Sequence, residues 1–210
     1  MKFFLCLIIF SSLSLAKGSG QPAKFNKALS LAIDSLKSED QKPATIPDGK
    51  LAEAAFKKVI QTNFPVVKKI LNTYGFPGYD RVGKESSDNF WLLVQHSDFD
   101  LPFQKKALGL MAVQVKKHNA SGSKYAYLLD RVNINEGKKQ IYGTQIYMTA
   151  HGYQPKPLLD SANVDKRRQI VGLPSLSDYL TQANEAFNEM NKGRGHIDTG
   201  KKTTNPAKSN

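Results

Sequence analysis

The single cysteine of this 210-residue chain, Cys6, lies inside an apolar stretch at the N-terminus. Lys2 precedes Phe3-Phe4-Leu5-Cys6-Leu7-Ile8-Ile9-Phe10, and a softer run from Ser11 to Ala16 follows. A short positive start, an apolar centre and small residues at Ser14 and Ala16 predict a secretory signal peptide, residues 1–16, cleaved after Ala16. The apolar run is too short to cross a bilayer, which needs roughly 20 apolar residues. No transmembrane segment is therefore expected after cleavage. Cleavage removes Cys6, so the exported chain, periplasmic or extracellular, would have no disulfide despite an oxidising destination. It must fold on its own apolar core, and about 190 residues are enough for one domain to do so.

The formal charge of +12 is unevenly spread. The tail 192–210 holds Lys192, Arg194, Lys201, Lys202 and Lys208 against Asp198 alone. It is polar and glycine-containing, and reads as a basic disordered tail. An excess of positive charge draws polyanions of any kind. No stripe of arginine with interleaved aromatics is present, so no specific nucleic-acid partner is expected.

Most of the chain carries helical periodicity. Lys17 to Pro22 reads as a linker, and Phe25, Ala28, Leu29, Ala32, Ile33 and Leu36 then share a helix face, within an N-terminal region 17–50. The spacing leaves open whether this helix packs on the body or lies outside it. Ser38 to Lys50, with Pro43, Pro47 and Gly49, reads as a loop. A helical domain is expected over 51–191. It begins with Leu51 to Asn63, followed by a separate helix from Pro65, since proline suits a first turn. Tyr74-Gly75-Phe76-Pro77 would end that helix. Ser86 or Ser87 would cap a third, which carries Phe90 to His96. Asp100 would cap a fourth, running to about His118, and Lys124 to Val132 would form a fifth. Asn119-Ala120-Ser121 matches the glycosylation sequon, which matters only in a eukaryotic secretory pathway.

Past Asn133 the pattern changes. Gln140 to Met148 is rich in β-formers, and the segment through Gly152-Tyr153 to Leu158 returns, predicting an antiparallel hairpin near 139–158. Asn163 would cap a helix ending at Gly172, and Leu176 to Met190 would form the last one. The fold class is mainly α with a small antiparallel β-hairpin, a single-domain, helical bundle-like architecture.

Three motifs follow one another: Trp91-Leu92-Leu93-Val94-Gln95-His96-Ser97-Asp98, then Asp130-Arg131-Val132, then Gln140-Ile141-Tyr142-Gly143-Thr144-Gln145. With Tyr74-Gly75-Phe76-Pro77, Val82-Gly83, Asp165-Lys166-Arg167-Arg168 and Gly172-Leu173, they resemble an uncharacterised bacterial domain family labelled only as a domain of unknown function. The resemblance spans about Leu51 to Leu180. It departs at Phe76, where tryptophan is more usual, and at Ser97, where alanine is. It implies which polar residues belong together and carries no activity.

Taken as chemistry, His96 and Asp98 at a helix end would make a general base with an orienting acid, or a histidine bonded to a backbone carbonyl beside a capping aspartate. Gln95 adjoins them. Asp130 and Arg131 are adjacent on a helix and point apart, so each needs its own partner, with Asp130–Arg168 and Arg131–Asp98 as candidate pairs. Arg131 has the planar fork that clamps carboxylate or phosphate, and buried ion pairs holding helices in register are the alternative. Gln140, Tyr142 and Thr144 would share one strand face and Gln145 the other, a row able to read a polar ligand or simply a solvated face. One histidine and one aspartate do not make a metal site, no cofactor signature is present, and no serine sits in a nucleophile elbow. Two readings stand. One is a polar pocket of His96, Asp98, Gln95, Asp130, Arg131, Gln140, Tyr142, Thr144, Gln145 and Arg168 that binds or hydrolyses a polar ligand. The other is a non-enzymatic envelope module, structural or binding an envelope component, in which the same residues form a buried network.

Overall fold

The computed structural model describes residues 24–191, so the expected signal segment, the linker after it and the basic tail lie outside the described residues. Seven helices and one hairpin follow in order: α1 (Lys27–Gln41), α2 (Gly49–Tyr74), α3 (Tyr79–Gln95), α4 (Leu101–Lys116), α5 (Gly122–Asn135), β1 (Ile146–Thr149), β2 (Gly152–Pro155), α6 (Val164–Ile170) and α7 (Leu176–Asn191). The class is the mainly α one that the periodicity indicates. No described helix is long and apolar enough to cross a membrane.

The core lies between the first five helices. Val67, Ile70 and Leu71 of α2, Phe90, Leu93 and Val94 of α3, Phe103, Ala107 and Met111 of α4, and Leu128 and Val132 of α5 are buried together. Leu29 and Ile33 of α1 join the same cluster, so the N-terminal helix packs on the body. Its contact with α3 is also polar. Asp34 accepts from Ser86 Oγ at 3.0 Å and Asn89 Nδ2 at 2.9 Å, and Ser30 and Ser86 share a hydroxyl bond at 2.8 Å.

Three local expectations change. Ser86 and Ser87 are buried inside α3 and cap nothing, because the helix already starts at Tyr79 and kinks at Gly83 (φ 82°). Only a residue at ease with positive φ lets the chain turn there and continue as helix. Pro65 sits within α2 and does not begin a new helix. It costs one backbone bond. Anchors on both sides hold the helix together: Asn63 Nδ2 donates to Leu36 O at 3.2 Å, and Val67 and Ile70 fill the core. The hairpin is shorter than expected, with Ile146 opposite Pro155 and Thr149 opposite Gly152. Residues 140–145, expected as strand, form a loop.

Asp100 does cap α4, accepting from Phe103 N at 2.9 Å, and its other oxygen takes Lys68 Nζ at 3.1 Å. The backbone donor above all holds its carboxyl below the usual carboxylate range, with Lys68 assisting. A depressed folded-state value means stability that is fully present above the unfolded value and lost as pH falls through the folded one. Asp100→Ala is expected to cost about 1 kcal/mol in urea unfolding at neutral pH. The difference from wild type should shrink as the pH is taken below about 4. A constant difference down to acid pH would contradict the cap.

Candidate functional site

α3 ends at Gln95, and His96 is its C-cap, with its backbone N–H on Leu92 O. The helix end leaves carbonyls without partners inside the helix. Buried Gln104 of α4 answers them, its Nε2 donating to Val94 O and Gln95 O at 3.1 Å each and to Asp98 Oδ1 at 2.9 Å. With the backbone held this way, the His96 ring packs edge-on against Phe56 of α2, centroids 5.0 Å apart.

The carboxylate on His96 is not Asp98. Asp40, near the end of α1, lies 2.9 Å from His96 Nδ1 through Oδ2 and 3.1 Å through Oδ1. Asp40 is 1% exposed and also accepts from Gln41 Nε2 at 2.7 Å. The expected loop from Ser38 is therefore helix up to Gln41. An aspartate near a helix C-terminus opposes the helix dipole, and the His96 ring is the partner that offsets this. A buried carboxylate facing Nδ1 fixes the neutral ring as the Nδ1–H tautomer and turns the Nε2 lone pair outward.

Outward lies a cleft of about 660 Å³, lined by Glu53, Phe56, Lys57, Ile60 and Gln61 on one face of α2, by His96, Asp98 and Phe99 of the α3–α4 turn, and by Arg131 of α5. Arg131 Nη1 donates to Asp98 Oδ2, the pairing expected from the sequence, and Asn135 Nδ2 reaches Asp98 Oδ1 at 3.3 Å. Behind Arg131, its Nε and the Gln95 Oε1 are buried without a hydrogen-bond partner among the described residues. Glu53 and Lys57 make no ion pair with another described residue. No serine, threonine or cysteine is among the described residues lining the cleft. Glu53, Phe56, Lys57, Ile60 and Gln61 carry no motif. Only their spacing of three and four along α2 marks them as one face.

The other candidates gather elsewhere. Asp130, one position before Arg131, points to a different side of α5, about 100° away, and is 0% exposed. It does not pair with Arg168. It accepts from Ile141 N at 2.7 Å, Tyr142 N at 3.1 Å, and Thr144 N and Oγ1 at 3.0 Å each. Gly143 (φ 72°) gives the loop the turn this cage needs, and a Cβ there would meet Leu176 Cδ1 at 3.0 Å. Gln140 is buried and ties Gln145 into the loop, donating to Gln145 O at 2.9 Å and accepting Gln145 N at 2.9 Å. Arg168 donates to Tyr142 O and Pro174 O at 2.6 Å each and lies over the Tyr179 ring. Burial pushes the Arg168 guanidinium below its ordinary value, and burial likewise raises the Tyr142 and Tyr179 phenols. The expected strand face of Gln140, Tyr142 and Thr144 is thus a folded loop, because a buried carboxylate recruits the backbone N–H groups a strand would have spent on pairing.

The sequon asparagine is similarly engaged. Asn119 Nδ2 donates to Asp80 Oδ1 at 2.7 Å and Gln114 Oε1 at 2.8 Å, and its Oδ1 accepts Asp80 N at 2.9 Å.

A family model described as a family of unknown function (DUF6624) matches residues 44–192. No curated protein and no solved structure matches the chain.

Removing the Asp130 carboxylate strands three backbone N–H groups, each costing about 1–3 kcal/mol when buried and unpaired. Asp130→Ala is expected to destabilise the fold by at least about 3 kcal/mol. Asp98→Ala, which breaks a partly exposed pair, should cost no more than about 1 kcal/mol. Chemical denaturation of the two variants checks the division, and equal losses would refute it.

Proposed function

The chain belongs to the DUF6624 family, a family of unknown function, and we propose that it binds a polar ligand in the His96 cleft and hydrolyses it, with His96 transferring the proton. The observation that carries this reading is the His96 ring itself. Its Nδ1 is held by a buried carboxylate, its Nε2 has no partner among the described residues, and it stands in the wall of a cleft. A general base needs this arrangement: a lone pair facing the substrate and an orienting acceptor behind the ring. With no hydroxyl or thiol side chain among the described lining residues, the nucleophile is water or a group of the ligand.

The alternative reading of the polar set, a structural network, is supported for its other half. Asp130, Gln140, Thr144 and Arg168 are buried and bonded largely to backbone. We assign them to holding the C-terminal third, and His96, Arg131 and Asp98 to the ligand.

The setting proposed for this activity is outside the cytoplasm, on the strength of Lys2, the apolar run to Phe10 and the small residues Ser14 and Ala16. Mass spectrometry of protein recovered from an export-competent host should show a chain beginning at Lys17. An intact N-terminus in the cell pellet would oppose export.

A thermal-shift screen of small polar esters, phosphate esters and sugars tests the cleft. A ligand at 100 times its Kd adds about 2.7 kcal/mol to apparent stability. For a domain of this size that is about 5–10 °C in melting temperature. Hits should protect the wild type and lose that protection in His96→Gln and Arg131→Ala. Hits that protect all three proteins equally would place the ligand elsewhere.

A further inference from the structure

The cleft joins groups that no single stretch of the chain holds. Glu53 on α2 offers a carboxylate with no ionic partner among the described residues, in the same cleft as the imidazole of His96. Lys57 and Arg131 add cations from separate elements. Asp98, the other carboxylate there, already accepts from Arg131, Gln104 and Asn135. Two aromatic rings complete the lining. Phe56 stands against His96, and Phe99 is 57% exposed at the mouth, its inner edge resting on Phe64 with centroids 4.8 Å apart. An exposed, well-supported ring in a cleft that also holds a carboxylate and an imidazole is a platform for a flat ligand group.

Resting on the proton-transfer role of His96 argued above, we propose that the substrate is single-stranded RNA, cut at the phosphodiester next to a 2′-hydroxyl. A site lined by an acid–base pair and no side-chain nucleophile suits a substrate that brings its own nucleophile. The Glu53 carboxylate takes the proton of the 2′-hydroxyl as O2′ forms its bond to phosphorus. The bond from phosphorus to O5′ breaks, and the His96 imidazolium, facing Asp40, gives its proton to O5′. The products are a 2′,3′-cyclic phosphate and a 5′-hydroxyl. Glu53 is then protonated and His96 neutral, the states the second step needs. Water forms its bond to phosphorus as His96 takes its proton, the bond from phosphorus to O2′ breaks, Glu53 gives its proton to the departing O2′, and a 3′-phosphate remains. Lys57 and Arg131 face the charge on the non-bridging oxygens, where fixed cations lower the barrier. Phe99 and Phe56 stack bases, and since every base has a π-face, cleavage is without sequence selection. The excess of positive charge that remains after residues 1–16 are removed draws a polyanion from solution. The sequence shows no basic-aromatic stripe because the cations and rings come from α2, the α3–α4 turn and α5.

The test uses a ribo-oligonucleotide carrying a fluorophore and quencher, with its deoxy counterpart, and the purified exported chain. Wild type should cleave the ribo-oligonucleotide, leave a 2′,3′-cyclic phosphate end by mass spectrometry, and spare the deoxy one. Glu53→Gln and His96→Gln should each lose about 100-fold or more of the rate. Glu53 is exposed, so its variant reads chemistry with the fold intact, and unchanged melting confirms this. Phe99→Ala should raise KM about tenfold with kcat kept. Intact RNA, equal cleavage of DNA, or undiminished rates in both variants would overturn the proposal. RNA left intact while His96-dependent ligand protection persists would overturn the RNA assignment alone. Protection that ignores His96 would remove the reading beneath it.

Discussion

The carboxylate of Asp130 is taken wholly out of water, and the C-terminal third of the fold is built to answer it. Burying an ionised carboxylate is costly unless hydrogen bonds replace its hydration. Three backbone N–H groups and the Thr144 hydroxyl do so, and they are on hand only because residues 141–144 wrap the side chain. The wrapped loop then offers its carbonyls outward. Arg168 brings α6 to Tyr142 O, and Tyr179 brings α7 to Thr144 O at 3.1 Å. Gln140 spans the loop ends, reaching Gln145 O and Lys156 O. One residue further along α5 the helix has turned by about 100°, and Arg131 emerges in the cleft. Scaffold and site therefore share a helix, and the register of α5 sets both.

On the other side, α1 plays a comparable part. Its apolar face is committed to the core through Leu29 and Ile33, and its polar groups meet Ser86 and Asn89 of α3. Asp40 is where that packing meets the site. The residues matched by the family model begin at 44, after Asp40, so the carboxylate behind His96 is supplied from upstream of the matched span. A shortened chain starting at the matched residues would keep the motif histidine and lose what orients it.

Much of the fold was legible because helices announce themselves through local spacing. The apolar faces of α2, α4 and α5, the Asp100 cap and the Gly75 stop depend on residues within a turn or two of one another. The pairing of Arg131 with Asp98 was also legible as one of two candidate charge pairs. What could not be read were choices settled by distant partners. Pro65 stays inside a helix because Leu36 and the core hold both sides of it. Residues 140–145 have strand composition, yet a buried carboxylate outbids a neighbouring strand for their N–H groups. Asp40 looked like a loop residue because nothing near it in sequence shows the imidazole it faces.

By itself, then, the sequence determined the helical class, the limits of most helices, the apolar faces that form the core, and the short set of polar residues worth attention. These follow from residue type and periodicity, which act over a few residues. Tertiary structure alone decided how that set divides. It sent Asp130, Gln140, Thr144 and Arg168 into a closed network and left His96 and Arg131 on a cleft with Glu53, Lys57 and Phe99. Burial and hydrogen-bond partners are properties of the packed chain, and no spacing rule encodes which of two adjacent residues on α5 will face water.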